Sequence, residues 1–202
     1  KELSSFLPYI TLLVSIILYS RYRSYIFYKY FILYILAIIS VDILVSTIFR
    51  KDNITLFNIY TFFEFNLFSL IYFHLIKYKS RLRILKVLVV FLNVIYFISF
   101  YFDLYLLYTV PLEGVVNSVF VILFFIELLN SERILNYKKL LPFWLSVGFL
   151  VFYLTTVPFW SLFNSSIFDT RAIFPIIYYL TTLFHLIFIY GIITCKKMEN
   201  LY

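Results

Sequence analysis

Five side chains carry groups able to move a proton or grip a polar ligand inside an otherwise apolar sequence: Glu64, His185, Asp42, Asn117 and Thr181. Glu64 sits near the middle of one long hydrophobic run, in Asn58-Ile-Tyr-Thr-Phe-Phe-Glu-Phe-Asn66, with little but aromatic residues beside it. His185 sits near the middle of another, in Thr181-Thr-Leu-Phe-His185. Asp42 lies somewhat outward of centre in a third run, and Asn93 and Asn117 fall near mid-depth in two more. Ionisable groups at such depth are costly and face a bundle interior or a water-filled cavity. A carboxylate opposite an imidazole can share or relay a proton, in response to a ligand or to the membrane potential. The competing reading is that Asn, Thr and His merely join helices by hydrogen bonds. That reading is preferred for the Asn and Thr residues; for Glu64 a ligand or proton site is preferred.

Helical spacing arranges these residues into stripes. At about 100° per residue, Tyr178, Thr181, Thr182 and His185 share one arc. Asn58, Thr61, Ser69 and Tyr72 form a second stripe, with Glu64 on its flank. Two such stripes at one depth would enclose a polar cavity. Glu113, Asp103 and Asp169 read as solvated outer-rim residues, Glu127 as the inner boundary, and His74 as a snorkelling interfacial side chain. Trp144 and Trp160 bracket their run as aromatic-belt residues do.

The elements that must position these groups follow from composition. Of 202 residues, 64% are hydrophobic and 13% charged, and the mean hydropathy is +0.98. No soluble core hides that much apolar surface, so the chain reads as an integral membrane protein. It has 26 Phe and 20 Tyr against only three Gly. An AT-rich genome over-supplies such residues, and their physical consequence is packing by interlocked bulky side chains rather than by close backbone approach. The single cysteine, Cys195, excludes an intramolecular disulfide and a Cys-based zinc site, and reads as a small buried hydrophobe.

Charges and turn residues divide the sequence into seven stretches long enough for a bilayer, 3–20, 25–49, 54–76, 84–102, 109–130, 141–163 and 172–195. The fold expected is an all-α seven-transmembrane-helix bundle forming one domain. Leu3–Tyr19 lacks a following small-residue cleavage site and reads as a retained helix. Pro8, Pro111, Pro142 and Pro175 fall near span starts, and Pro158 should kink or end the sixth. Arg21, Arg23, Lys29, Lys77, Lys79, Arg81, Arg83, Lys86, Arg133, Lys138, Lys139, Lys196 and Lys197 fall on one side, leaving Lys1, Arg50, Lys51 and Arg171 on the other. The positive-inside rule then places the N-terminus outside and the C-terminus in the cytoplasm of a bacterial inner membrane. The net charge of +7 is thus mostly a topology signal, and nucleic-acid binding is not expected.

Several membrane chemistries fail on residue counts. A retinal Schiff base needs a lysine within the last span, where none precedes Lys196. Two histidines far apart in depth do not furnish a hydrolytic zinc site, and no metal or cofactor is expected. There is no Gly-flanked serine elbow, phosphate loop or HExxH. Three glycines and peripheral prolines argue against the broken helices of a transporter. An enzyme is therefore not expected.

Tyr60-Thr-Phe-Phe-Glu64-Phe, Phe125-Ile-Glu127-Leu-Leu and Phe143-Trp-Leu-Ser146-Val-Gly148-Phe-Leu-Val-Phe-Tyr153 resemble segments of a family of small, uncharacterised seven-helix integral membrane proteins of Bacteroidota. The resemblance covers spans three to seven and marks Glu64, Glu127, Trp144, Ser146 and Gly148 as family-pattern positions. It implies a cap or contact role for Glu127 and a place in signalling, beside a partner such as a sensor kinase. The leading expectation is a receptor-like module that binds a small or lipidic ligand within the bundle, among membrane lipids, and signals to that partner. The alternatives are a small proton-coupled transporter, with a polar path through Asp42, Glu64 and Glu127, and a structural subunit of a membrane complex.

Overall fold

A computed structural model describes residues 2–47, 54–102, 105–163 and 170–195. Lys1, Arg50, Lys51, Asp103, Asp169, Lys196 and Lys197 lie outside the described residues. Among the described residues all regular structure is helical: α1 (Glu2–Ile17), the one-turn α2 (Tyr19–Tyr22), α3 (Ile26–Thr47), α4 (Ile54–Leu75), α5 (Lys79–Phe102), α6 (Tyr105–Leu129), α7 (Leu141–Phe163) and α8 (Thr170–Thr194). A 3₁₀ segment, Glu132–Lys139, joins α6 to α7. The six helices α3 to α8 are long and apolar enough to cross a membrane, whereas the apolar part of α1 is shorter, Ser4–Ile17. The chain is a multi-pass helical membrane protein.

Three boundaries differ from the sequence reading. The stretch 3–20 is not one helix, because α1 stops at Ile17 and a separate turn follows. Helix α5 begins at Lys79 rather than 84, so Arg81, Arg83 and Lys86 ride on its first two turns; Lys and Arg are good helix formers, and helical structure continues where the apolar run does not. Helix α6 begins at Tyr105 rather than 109, while α7 keeps the expected bounds 141–163 and runs straight through Pro158.

The legs form a closed ring in the order α1, α3, α4, α6, α7, α8, with α8 packing back onto α1 and α5 lying outside against α4 and α6. Half of the ring's interior is filled by aromatic side chains. Phe149 meets Phe68 at 4.7 Å between centroids, Phe188 at 4.9 Å and Tyr34 at 5.3 Å, mostly edge to face. Edge-to-face pairing satisfies the ring quadrupoles and keys helices together without small residues.

The three glycines are the exception to that bulky packing. A Cβ on Gly114 would stand 2.7 Å from Val157 Cγ2, one on Gly148 2.7 Å from Phe188 Cε1, and one on Gly191 2.6 Å from Trp144 Cβ. The α6–α7 and α7–α8 seams therefore do use close approach, at three points.

The end opposite the N-terminus is tied by side chains to backbone. Glu127, buried, accepts from the backbone N–H of Lys77 on Oε1 at 2.8 Å and of Tyr78 on Oε2 at 3.4 Å, with Arg81 Nη1 3.5 Å from Oε2. It caps the turn before α5 and is not a solvated helix end. Arg21 donates to the carbonyls of Ile193 and Cys195 at 3.2 and 3.0 Å, and Tyr22 Oη to those of Ile192 and Cys195 at 3.0 and 2.6 Å. These donors satisfy the last carbonyls of α8, where a cation is also favoured by the helix dipole. Burial pushes the Tyr22 phenol above its ordinary range, which keeps it a donor. Cys195 is fully buried beneath this clasp.

Candidate functional site

At the N-terminal end of the ring the aromatic filling gives way to a cavity of about 450 Å³. Residues of α1, α3, α4, α6, α7 and α8 line it. Tyr34 and Asp42 come from α3, Tyr60, Thr61 and Glu64 from α4, Glu113 from α6, Tyr153 and Trp160 from α7, and Thr181 and His185 from α8. Four of the five residues singled out from the sequence thus line one space. The fifth, Asn117, stands behind it, one turn from Glu113.

The centre of the site is a tyrosine clamp on Glu64. Tyr34 Oη donates to Glu64 Oε1 at 2.7 Å and Tyr153 Oη to the same oxygen at 3.3 Å, while the two hydroxyls stand 3.2 Å apart. Tyr60, one turn before Glu64 on α4, lines the same space. Every partner of the group is a hydroxyl donor, an arrangement that suits a carboxylate.

Glu113 repeats the pattern on α6. It is buried, at 3% exposure, and accepts from Tyr96 Oη at 2.6 Å and from Asn117 Nδ2 at 3.4 Å. The expected place at the solvated outer rim is therefore corrected. Because α6 starts at Tyr105, Glu113 lies about two turns inside the helix and points into the ring. The Glu64 and Glu113 carboxyls are near enough to act on each other electrostatically.

The direct carboxylate–imidazole contact does not form. His185 is buried, and its Nδ1 lies 3.0 Å from Thr11 Oγ1 on α1. Thr11 already donates its single hydroxyl proton to the carbonyl of Leu7, at 2.9 Å. With that proton committed, Thr11 Oγ1 is left to accept, which makes the Nδ1–H of His185 the donor. The ring's first duty is to join α8 to α1, while its edge forms part of the cavity wall. Thr181 sits on the same wall with its hydroxyl returned to the carbonyl of Ile177 at 2.9 Å, and Asp42 is exposed at the far end of α3.

Other polar residues join helices, as the competing reading holds. Asn66 and Asn93 exchange amide bonds at 3.1 and 3.3 Å between α4 and α5. Tyr72 meets Ser146 at 3.0 Å in the buried core. His74 is exposed, with its ring against Tyr30. Trp144 donates to the carbonyl of Lys138 at 2.8 Å at the opposite end of α7, while Trp160 forms part of the cavity wall.

Sequence reasoning missed Tyr34, Tyr60, Tyr153 and Tyr96, all hidden among 20 tyrosines. One signal was present: Tyr60 stands four residues before Glu64 on the same helical face. Among the described residues no group of three or more His, Cys, Asp or Glu side chains is placed to hold a metal ion. Comparison with protein-family models, with curated proteins and with solved structures gives no match.

Proposed function

We propose that this protein is a seven-span receptor-like module of a bacterial inner membrane, in which α1 makes the seventh crossing with the N-terminus outside. The cavity near the outer face holds a small or lipidic ligand, and the basic cytoplasmic rim passes occupancy to a membrane partner such as a sensor kinase. The cavity carries this reading. Its volume of about 450 Å³ falls in the range of small-molecule sites, and it combines aromatic walls with a few convergent polar groups. Six helices contribute to it, so a ligand touching all of them can bias how they pack.

The aromatic floor favours a receptor over a carrier. Phe68, Phe149 and Phe188 are fully buried and pack on one another, an aromatic layer that supports a ligand pocket rather than a polar path from Glu64 to Glu127.

Two experiments test the proposal. Native mass spectrometry of protein taken from its own membranes into nanodiscs should detect a bound non-protein mass. That mass should be lost when the cavity is filled by Thr156→Trp. An unliganded spectrum, or retention of the mass in the filled variant, would remove the ligand reading. For topology, Cys195→Ala protein carrying Ser5→Cys should react in spheroplasts with a membrane-impermeant maleimide. Ser24→Cys and Ser80→Cys should react only after permeabilisation. The reverse pattern would invert the orientation.

A further inference from the structure

The lining residues of the cavity point to one chemical class of occupant. Three carboxyl groups face the space, from Glu64, Glu113 and Asp42, and among its described lining residues there is no lysine or arginine. The described basic residues with placed side chains belong to the segments at the other end, 21–29, 77–86 and 138–139.

The hydrogen bonding around the two inner carboxyls defines the missing component. Glu64 and Glu113 receive only donors, from Tyr34, Tyr153, Tyr96 and Asn117. Donors alone orient and solvate a carboxylate but supply no counter-charge, and a buried charge needs one. The amide oxygen of Asn117, fully buried beside Glu113, also lacks a donor. Aromatic rings complete the wall: Tyr34, Tyr60, Tyr153, Tyr178 and Trp160 line the same space. Rings attract cations through their faces, most strongly where the cation is desolvated. A bare metal ion would use neither the rings nor the volume, whereas an ammonium group on an apolar body would use both.

We infer that the cavity ligand is an organic cation, an amine or quaternary ammonium compound with an apolar body, its charge held between Glu64 and Glu113. This rests on the cavity being a ligand site at all, and it specifies the chemistry of that site. The ammonium lies against the carboxylates and tyrosine faces, and the apolar body against Phe152, Phe184 and Ile177, which are also part of the wall.

The test compares benzyltrimethylammonium with neopentylbenzene, its uncharged carbon isostere. The protein is placed in nanodiscs and carries Trp144→Phe, so that Trp160 is the sole indole. The cation should shift Trp160 emission saturably, at least about tenfold more tightly than the isostere, and tetramethylammonium should compete. Glu64→Gln and Glu113→Gln should each weaken cation binding by about tenfold or more and leave the isostere unaffected. Glu64→Asp keeps the charge and retains preference for the cation, which serves if a Gln variant fails to fold. Equal binding of cation and isostere would overturn the cation assignment while the ligand cavity stands. A bound anionic or neutral lipid in the native protein, with no response to the cation, would overturn it in the same way. No response to either probe, together with an empty native spectrum, would remove both readings.

Discussion

Replacing Phe149 with alanine is expected to destabilise the bundle by about 3–5 kcal/mol, the cost of deleting a fully packed aromatic ring from a core. Phe149 is fully buried and lies against six other rings, those of Tyr34, Phe68, Tyr72, Tyr153, Phe184 and Phe188, drawn from α3, α4, α7 and α8. Lipid offers no hydrophobic gain for helix association, so these contacts bind the helices largely through dispersion, and a void simply forfeits them. The same deletion should deepen the cavity towards the opposite end. Thermal unfolding in detergent would measure the first effect. Thr155→Ala on the exposed side of α7, where surface changes stay within about 0.5 kcal/mol, is the control. Equal melting of the two variants would show that the aromatic layer does not hold the ring.

The second large effect is expected at Glu127. Alanine there removes the acceptor of the Lys77 N–H and the carboxylate that pairs with Arg81, for a loss of about 1–3 kcal/mol. Glutamine keeps an acceptor for the backbone but not the charge, so it should fall between alanine and the native residue. The readout is limited proteolysis at the turn between α4 and α5, together with unfolding. Faster cleavage in the order Glu, Gln, Ala is the expected result; native resistance in the alanine variant would exclude the capping role.

The helices were legible because the bilayer imposes a length on each apolar run and charges mark where runs stop. That logic found α3, α4, α7 and α8 within a few residues. It erred at α5 and α6 for one shared reason: a helix does not end where hydrophobicity does. Lys79 to Arg83 continue α5 beyond the apolar run, and Tyr105 starts α6 upstream of Pro111. The second error moved Glu113 from the interior to the rim and concealed half of the acidic pair. His185 was placed correctly as a buried residue, but its partner was not legible. Thr11 is 174 residues away, and hydrogen-bond pairing between the first and last helices follows from the closure of the ring, which no local pattern encodes. The glycines were undervalued for a similar reason. Their scarcity was read as an absence of close approach, yet each of the three stands where two helices nearly touch.

The order of the ring bears on how the protein is made. Helix α1 leaves the ribosome before every other described helix, and its major neighbour α8 follows all of them. Until α8 arrives, the buried hydroxyl of Thr11 lacks its imidazole partner, and one wall of the cavity is missing. Nascent α1 must therefore wait in the membrane beside α3 while α4 to α7 are made, and the clasp of Arg21 and Tyr22 engages only once α8 has emerged. An interrupted chain would consequently carry an unlatched first helix, which would give membrane quality control a mark of incompleteness to recognise.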